Sequence, residues 1–268
     1  MNRRTVADEI IVEGIGLHRG QSTKLYIRPS DEGIVFVKDG VRIQAEPSNI
    51  VDTRLCTTIG CQAFRISTVE HLMSALYGLK ITDCEIEITG EEIPVMDGSA
   101  LPFVARLQEA GYRDMDVVCP EITISETIRV ESNKCWVEIG PGPFSVEYAI
   151  EFEEPAIGSQ HITFGGMDYC TDIAPARTFG RLKDVEAMRS MGLALGGGLH
   201  NAVVVDNDRV LNPGGLRFKD EFVRHKVLDL LGDLWMVGAF LRGRIRAYKA
   251  NHALHIELAK KICATAKE

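Results

Sequence analysis

The chain has 268 residues, of which 45% are hydrophobic and 25% charged, values typical of a globular protein with one large domain or two ordinary ones. The net charge of −8 and the lack of a lysine–arginine cluster argue against nucleic acid as a partner. The N-terminus lacks the apolar core of a signal peptide, and no segment predicts a transmembrane helix. Seven scattered cysteines without a C-x-x-C pair favour reduced thiols and a cytoplasmic protein.

The first segments of the chain predict strands joined by turns. Gly14–Gly20 has the spacing G-x-G-x-x-x-G, and no βαβ unit frames it. It therefore predicts a glycine-rich turn between strands, with His18 available to face a ligand, and not a dinucleotide-binding fingerprint. Two short strands, 34–37 and 41–43, are predicted on either side of a hairpin turn at Asp39-Gly40.

Residues 66–79 predict a helix, because apolar side chains recur there at helical spacing. Ser67 and Glu70 fit a capping box, in which the Glu70 carboxylate bonds back to the start of the helix. Alternatively, Glu70 acts together with His71, since a glutamate beside a metal-binding histidine can reach a water on the metal without ligating it. His71 itself is either a hydrogen-bonded core histidine or a metal ligand.

A strand and a further helix are predicted next. Residues 84–88 alternate between apolar and polar side chains, as a half-buried strand does. Asp97 or Ser99 is expected to cap a helix over 100–110, which Gly111 ends.

The polar segment 113–116, with Pro120 after it, is the predicted linker between two domains, 1–117 and 118–268. The second half of the chain is predicted to begin with strands, to continue through an irregular glycine-containing region over 174–215, and to end with a strand and a helix. The predicted strands are 121–130, 135–139, 144–152 and 245–249, and the predicted last helix is 252–266.

Residues 224–236 predict a buried helix that three titratable side chains interrupt along one stripe. His225, Asp229 and Asp233 are spaced i, i+4, i+8, so they lie one above another on a single face. Burying a histidine and two carboxylates without a partner costs several kcal/mol, and a compensating group is therefore expected. Zinc is one candidate, because it binds histidine nitrogen and aspartate oxygen, and a hydrogen-bonded core pair is the other.

The two helices also share a sparse internal repeat. Four residues of the first helix recur in the second at one constant offset: Val69, His71, Leu76 and Gly78 as Val223, His225, Leu230 and Gly232. This favours two similar α/β domains, each of which presents a histidine-bearing helix to a shared cleft.

Six segments spread along the chain form a pattern that resembles one known family. They are Gly14-x-Gly16-Leu17-His18, 66–72, 93–99, 176–179, 223–229 and Ala247-Tyr248-Lys249-x-x-His252. The pattern resembles the bacterial UDP-3-O-acyl-N-acetylglucosamine deacetylases, the LpxC family of zinc amidases. The resemblance implies hydrolysis of the N-acetyl group of UDP-3-O-acyl-N-acetylglucosamine, which yields UDP-3-O-acyl-glucosamine and acetate in the committed step of lipid A biosynthesis. It also implies an α+β fold of two similar α/β sandwich domains, with helices packed on sheets and the active site at the domain interface.

The resemblance further implies a catalytic metal centre. Its implied zinc ligands are His71, His225 and Asp229, which leave a fourth position for water, as a catalytic zinc site requires. Fe²⁺ is an alternative ion for such a donor set in the cell.

The resemblance also implies roles for the groups around the metal. Glu70 takes the proton of a zinc-activated water as it attacks the N-acetyl carbon, and zinc, the Thr178 hydroxyl and protonated His252 stabilise the resulting oxyanion. His252 is expected to follow Asn251 as the helix cap, and a helix N-terminus disfavours a cation, so Asp233 is expected to pair with it. Either His252 or Glu70 protonates the leaving amine.

Further residues are implied to bind the substrate. Lys226 and Lys249 resemble positions that hold the diphosphate, Phe152 is expected near the uracil, and Phe179 is expected to contact the substrate. A βα insert near 177–215 resembles the passage for the fatty acyl chain. The alternatives are ordinary surface lysines and plain packing within the insert. The expected lining of the passage is Leu182, Val185, Ala194, Leu199 and Val204.

Two positions depart from the family pattern. Arg181 stands where an aromatic or other apolar residue is common, which leaves the acyl-chain preference open, and Asn251 replaces a glycine. Cys56 resembles a position near the site, and its contact with the metal is open.

The competing interpretations are a zinc hydrolase for another acylated sugar nucleotide or amide, a binding protein with a structural metal, and a nucleotide-binding regulator. The chain is expected to be a monomer.

Overall fold

The computed structural model describes residues 1–266, which contain six α-helices and one short 3-10 helix at Pro47–Asn49. The helices are α1 (Glu70–Gly78), α2 (Leu101–Ala110), α3 (Tyr169–Asp172), α4 (Leu182–Ser190), α5 (Glu221–Trp235) and α6 (His252–Thr265). Within the described residues, no helix combines the length and the apolar content needed to cross a bilayer.

The strands of the first half are β1 (Asn2–Val6), β2 (Ile10–Ile15), β3 (Ser22–Arg28), β4 (Ile34–Lys38), β5 (Val41–Gln44), β6 (Ile50–Asp52), β7 (Thr58–Gly60), β8 (Arg65–Ile66), β9 (Cys84–Ile88) and β10 (Tyr112–Val118). Those of the second half are β11 (Glu121–Thr123), β12 (Ile128–Ser132), β13 (Cys135–Gly140), β14 (Ser145–Glu151), β15 (Ser159–Phe164), β16 (Phe179–Arg181), β17 (Val203–Asp206), β18 (Arg209–Val210), β19 (Phe240–Arg242) and β20 (Arg244–Tyr248).

Two five-stranded mixed sheets have the same topology. Their strand orders are β2-β3-β9-β4-β5 and β12-β13-β20-β14-β15. In each sheet the third and fourth strands of that order run parallel, and the other neighbours are antiparallel. In each case one helix (α1 or α5) precedes the third strand in the chain, and another helix (α2 or α6) follows it. This confirms the α+β class, and it places the repeated residues on equivalent helices.

Helices α1 and α5 pack directly against each other. Gly232 of α5 permits the close approach, because a Cβ atom at that position would lie 2.1 Å from the carbonyl oxygen of Glu70. The equivalent Gly78 of α1 instead makes room for the ring of Tyr169. Apolar side chains of both helices belong to one buried core: Leu72, Met73, Leu76, Val227, Leu228 and Leu231. The packing therefore brings the two histidine-bearing helices together.

Three predictions about the middle of the chain are corrected by strand pairing. The segment 113–116, predicted as a linker, is part of β10, which pairs antiparallel with β1. Its side chains are mostly exposed, so the segment has the composition of a loop although its backbone is paired. The strand predicted over 121–130 is two strands, β11 and β12. The region 174–215, predicted as irregular, contains α4 and three short strands.

The capping box predicted at the start of α1 does not form. The helix begins at Glu70, with Val69 before it, and the Glu70 carboxylate does not bond back to the helix start. Instead, its Oε2 accepts a hydrogen bond of 3.0 Å from the Thr57 backbone N–H. The partner thus lies on a different part of the chain.

The other two predicted caps have different outcomes. Asn251 caps α6, where its Oδ1 accepts from the Leu254 N–H at 3.1 Å, so this prediction is confirmed. Helix α2 begins at Leu101 after Ala100, and the Ser99 hydroxyl accepts from the Leu101 N–H at 3.3 Å, so Ser99 serves the helix start although it does not occupy the N-cap position. Asp97 accepts from the N–H of Ser99 at 3.0 Å, which forms a local turn ahead of the helix.

Candidate metal centre and active site

Three buried donors from two helices converge on one point. His71 lies in the first turn of α1, and His225 and Asp229 lie one turn apart on α5. The Oδ1 atom of Asp229 lies 3.7 Å from His71 Nε2 and 3.3 Å from His225 Nε2. The Nδ1–H of His225 donates to the carbonyl of Ala176 at 3.1 Å, which leaves Nε2 to face the cluster. The three predicted metal ligands are therefore brought together.

The donor set fits a divalent cation. Asp229 Oδ1 is buried and accepts no hydrogen bond, although both imidazole Nε2 atoms lie beside it. A buried carboxylate oxygen without a partner is costly, and an ion among the three groups would satisfy it. Two nitrogen donors and one oxygen donor form a common set for catalytic zinc.

The protonation states of these groups also suit a metal. Burial lowers the pKa of His71 to about 4 and that of His225 to about 3, so both rings are neutral at pH 7. Burial opposes the ionisation of Asp229, but His225 and Lys226 outweigh it and hold its pKa well below the usual value. Neutral imidazoles and an ionised carboxylate are the forms that bind metal ions.

Glu70 lies beside the metal ligands without joining them. Its Oε2 is held by the Thr57 N–H, and its Oε1 lies 4.0 Å from His252 Nε2. Burial raises the pKa of the Glu70 carboxyl to about 8, against the opposing effect of His252. A carboxylate with a pKa near neutrality is suited to accept and return a proton.

His252 and Asp233 form the predicted pair. The Nδ1–H of His252 donates to Asp233 Oδ2 at 2.8 Å. Burial alone would lower the pKa of His252, but the facing carboxylate of Asp233 raises it to about 9. The ring is therefore a cation at neutral pH, and its Nε2 lies 4.0 Å from Glu70 Oε1 and from Asp229 Oδ2.

Two partners of Asp233 were missed by sequence reasoning. Asp233 also accepts hydrogen bonds from the Thr57 hydroxyl at 2.6 Å and from His255 Nδ1 at 2.8 Å. His255 follows His252 by three positions on α6, and this spacing places the two rings on one helix face and could have revealed it. Thr57 carries no such local signal. Asp233, His252 and His255 are close enough to hold an ion, but their facing atoms are already hydrogen-bonded to one another.

Two connected cavities adjoin these groups. A cleft of about 760 Å³ is lined by the metal ligands, Glu70 and His252. A second, apolar-lined cavity of about 380 Å³ shares Thr178 and Phe179 with the cleft. Its lining includes all five residues predicted for the acyl passage: Leu182, Val185, Ala194, Leu199 and Val204. The insert therefore lines an apolar cavity beside the cleft that contains the metal donors.

The predicted substrate residues Phe152, Phe179 and Lys226 line the cleft. The rings of Phe152 and Phe179 meet edge to face, with their centroids 5.7 Å apart. The Lys226 Nζ donates to Asp229 Oδ2 at 2.7 Å and lies 5.5 Å from the centre of the Phe179 ring. Lys226 thus contacts both the metal-donor set and an aromatic wall of the cleft.

Of three other residues named from the sequence, two line the cleft and one does not. Lys249 is not among the described residues that line the cleft, and its Nζ lies 3.9 Å from a carboxylate oxygen of Glu151. Arg181 does line the cleft, where it donates to Asp184 at 2.6 Å. Cys56 also lines it, and burial raises the pKa of its thiol to about 12, so the thiol stays protonated.

Comparison with known proteins identifies the family of the chain. A family model described as UDP-3-O-acyl N-acetylglycosamine deacetylase (LpxC) matches residues 3–264. A UDP-3-O-acyl-N-acetylglucosamine deacetylase of Campylobacter hominis is 44% identical, with 100% of this chain and 93% of the relative covered. Proteins of the same name are 45% identical in Acidithiobacillus ferrooxidans, covering 97% and 89%, and 43% identical in Haemophilus influenzae, covering 98% and 90%. The chain therefore belongs to the LpxC family of UDP-3-O-acyl-N-acetylglucosamine deacetylases.

Proposed function

We propose that the protein removes the N-acetyl group of a UDP-3-O-acyl-N-acetylglucosamine by hydrolysis, which yields UDP-3-O-acyl-glucosamine and acetate in lipid A biosynthesis. Family membership over the full chain supports the substrate and the reaction. The observation that carries the mechanism is the unpartnered oxygen of Asp229 between two imidazoles, with Glu70 and His252 beside it.

In this proposal His71, His225 and Asp229 hold a zinc ion, or Fe²⁺ in the cell. The bound ion supplies Lewis acidity, which makes water more acidic and polarises an amide carbonyl. The chain prepares the donor set by burying both imidazoles in their neutral form, with the His225 ring fixed through the carbonyl of Ala176.

Glu70 and His252 have different roles in the proposed reaction. Glu70 accepts the proton of the attacking water, and the Thr57 N–H holds the carboxylate in place for this transfer. His252, kept cationic by Asp233, donates a hydrogen bond to the developing oxyanion, together with the Thr178 hydroxyl. Either His252 or the protonated Glu70 delivers a proton to the leaving amine.

The substrate is proposed to extend in two directions from the metal donors. The fatty acyl chain enters the apolar cavity of the insert, whose lining offers burial to a chain of methylene groups. Lys226 and Lys249 bind the diphosphate, and Phe152 and Phe179 contact the nucleotide side of the substrate. For Lys249 this requires the side chain to leave Glu151, whereas Lys226 already lines the cleft.

We also propose a two-domain organisation, with domains at 1–117 and 118–268 and the site between them. The identical topology of the two five-stranded sheets supports this division. The working unit is proposed to be a monomer. The seven cysteines are scattered and contain no C-x-x-C pair, which supports a reducing cytoplasmic setting.

The test is acetate release from a UDP-3-O-acyl-N-acetylglucosamine before chelation, after chelation, and after zinc is added back. Activity that disappears with the metal and returns at about one zinc per chain supports the proposal. Tight zinc binding without hydrolysis would favour a structural metal, and UDP binding without zinc-dependent hydrolysis would favour a regulator. Hydrolysis of other acylated sugar nucleotides alone would change the substrate and keep the chemistry.

A further inference from the structure

Asp233 has more hydrogen-bond donors than pairing with His252 requires. It is fully buried on α5 and receives donors from two other parts of the chain. His252 and His255, both on α6, donate to Oδ2, and the hydroxyl of Thr57, which precedes β7, donates to Oδ1. Both carboxylate oxygens are therefore held from outside α5.

This arrangement fixes the plane of the carboxylate. A single bond from His252 would leave Asp233 free to rotate about its last side-chain torsion, which is soft for such groups. Donors on both oxygens remove that freedom. Because His252 takes its direction from Asp233, the same donors fix where His252 Nε2 points, 4.0 Å from Glu70 Oε1.

His255 is itself anchored on its far side. Its Nε2 lies 3.1 Å from the Tyr148 hydroxyl, which also lies 2.9 Å from the carbonyl oxygen of Ala250. An ionised Asp233 only accepts hydrogen bonds, so the Nδ1 of His255 carries a proton. Burial lowers the pKa of His255. The Tyr148 hydroxyl donates its single proton to the Ala250 carbonyl, and its oxygen stays in contact with His255 Nε2, which holds the far side of the ring.

Resting on the proposed function, we propose that Thr57 and His255 are positioning residues that hold Asp233 and, through it, the ring of His252. Neither residue is proposed to touch the substrate. The cluster of Asp233, His252 and His255 is accordingly a hydrogen-bonded support for the acid, because its Nδ1 atoms carry protons and are not free to ligate an ion.

Position 255 offers a matched pair of variants. In His255→Asn the amide nitrogen takes the place of Nδ1 and can still donate to Asp233. In His255→Gln the amide nitrogen lies farther from the backbone, in the place of Nε2 near Tyr148. The hydrogen bond to Asp233 is then lost. We expect His255→Gln to lose about 10-fold or more in kcat, the range seen when a partner that orients an active-site group is removed. We expect His255→Asn to retain most of kcat, with KM and zinc content unchanged in both variants.

Position 57 offers a second pair that leaves α6 untouched. Thr57→Ser keeps the hydroxyl, whereas Thr57→Val keeps the shape and removes it. Thr57→Val is expected to lower kcat about 10-fold, and Thr57→Ser is expected to stay close to the parent protein. Zinc content and thermal unfolding, measured on the same samples, show whether each variant remains folded and loaded.

The decisive measurement repeats His255→Gln and Thr57→Val in an Asp233→Ala background. If both residues act only through Asp233, neither substitution lowers kcat further in that background. Losses that multiply with Asp233→Ala, or equal losses in His255→Asn and His255→Gln, would overturn the inference while leaving the deacetylase proposal intact. Absence of acetate release from the parent protein itself would overturn both.

Discussion

Four buried histidines around the site end in different charge states, depending on how many carboxylates lie close to each ring. Burial lowers the pKa of His71, His225 and His255, and these three rings stay neutral. His252 is also buried, but Asp233, Glu70 and Asp229 all lie close to its ring and raise its pKa to about 9. The sequence singled out His71, His225 and His252 through helix spacing and family motifs. It could not identify the charge states, because these depend on contacts between distant segments.

The first prediction at this scale concerns Glu70. Glu70→Gln keeps the shape of the side chain and removes its basicity, so acetate release should fall by about 10²–10⁴-fold, the usual contribution of a general base. Zinc content should remain that of the parent protein, because Glu70 is not among the proposed ligands. Glu126→Gln, at an exposed position, is the control and should leave turnover unchanged. Undiminished turnover in Glu70→Gln would remove Glu70 from the mechanism.

A second prediction concerns the pH dependence. His252 is protonated below its pKa of about 9, so the rate should fall as the pH rises through that value. Asp233→Asn removes the anion that stabilises the imidazolium, so the alkaline fall should move to lower pH. The measurement is kcat as a function of pH for both proteins. An alkaline limb at the same pH in both would show that it belongs to another group.

At the scale of helices and strands, the contact between α1 and α5 depends on a glycine at position 232. Gly232 leaves no room for a Cβ atom against the backbone of Glu70. We expect Gly232→Ala to destabilise the fold by about 1–3 kcal/mol, the usual cost of overpacking, although alanine is the better helix former. Denaturant unfolding measures this, and zinc affinity should fall as α1 moves. Gly214→Ala is the control, because a Cβ atom at that position meets nothing within 4 Å. Equal stabilities of the two variants would contradict the packing argument.

The apolar periodicity of the sequence predicted the main helices. Local patterns did not predict the structure where a residue elsewhere in the chain supplies the hydrogen bonds. Ser67 and Glu70 fit the pattern of a capping box, but the Glu70 carboxylate instead accepts a hydrogen bond from the Thr57 N–H. The segment 113–116 had a linker's composition, yet β1 paired with it. In both cases the partner lies earlier in the chain, outside the local pattern.

At the scale of the whole molecule, four repeated residues were enough to indicate two similar units, and the two five-stranded sheets do share one topology. Strand order and register were beyond the sequence, because no local pattern specifies which strands pair across the crossover of α1 or α5. The site was more predictable than the fold around it, since family motifs identify residues directly.

A bound metal should stabilise the entire chain. An ion that binds only the folded state contributes about 2.7 kcal/mol when its free concentration is 100 times its Kd. Thermal unfolding should therefore shift upward on zinc addition and downward on chelation. His71→Ala and His225→Ala, which alter different helices, should each abolish the shift. A zinc-dependent shift that survives in either variant would indicate binding elsewhere.

Because the metal donors come from two helices, we expect metal binding to affect the rate of unfolding and not that of refolding. His71 and His225 are roughly 150 residues apart, so the three donors meet only after distant parts of the chain have docked. An ion that needs this complete arrangement cannot lower the barrier of an earlier folding step. Zinc should therefore slow unfolding and leave the refolding rate nearly unchanged, the behaviour of an interaction absent from the transition state. The metal would then extend the lifetime of the folded chain without helping to form it.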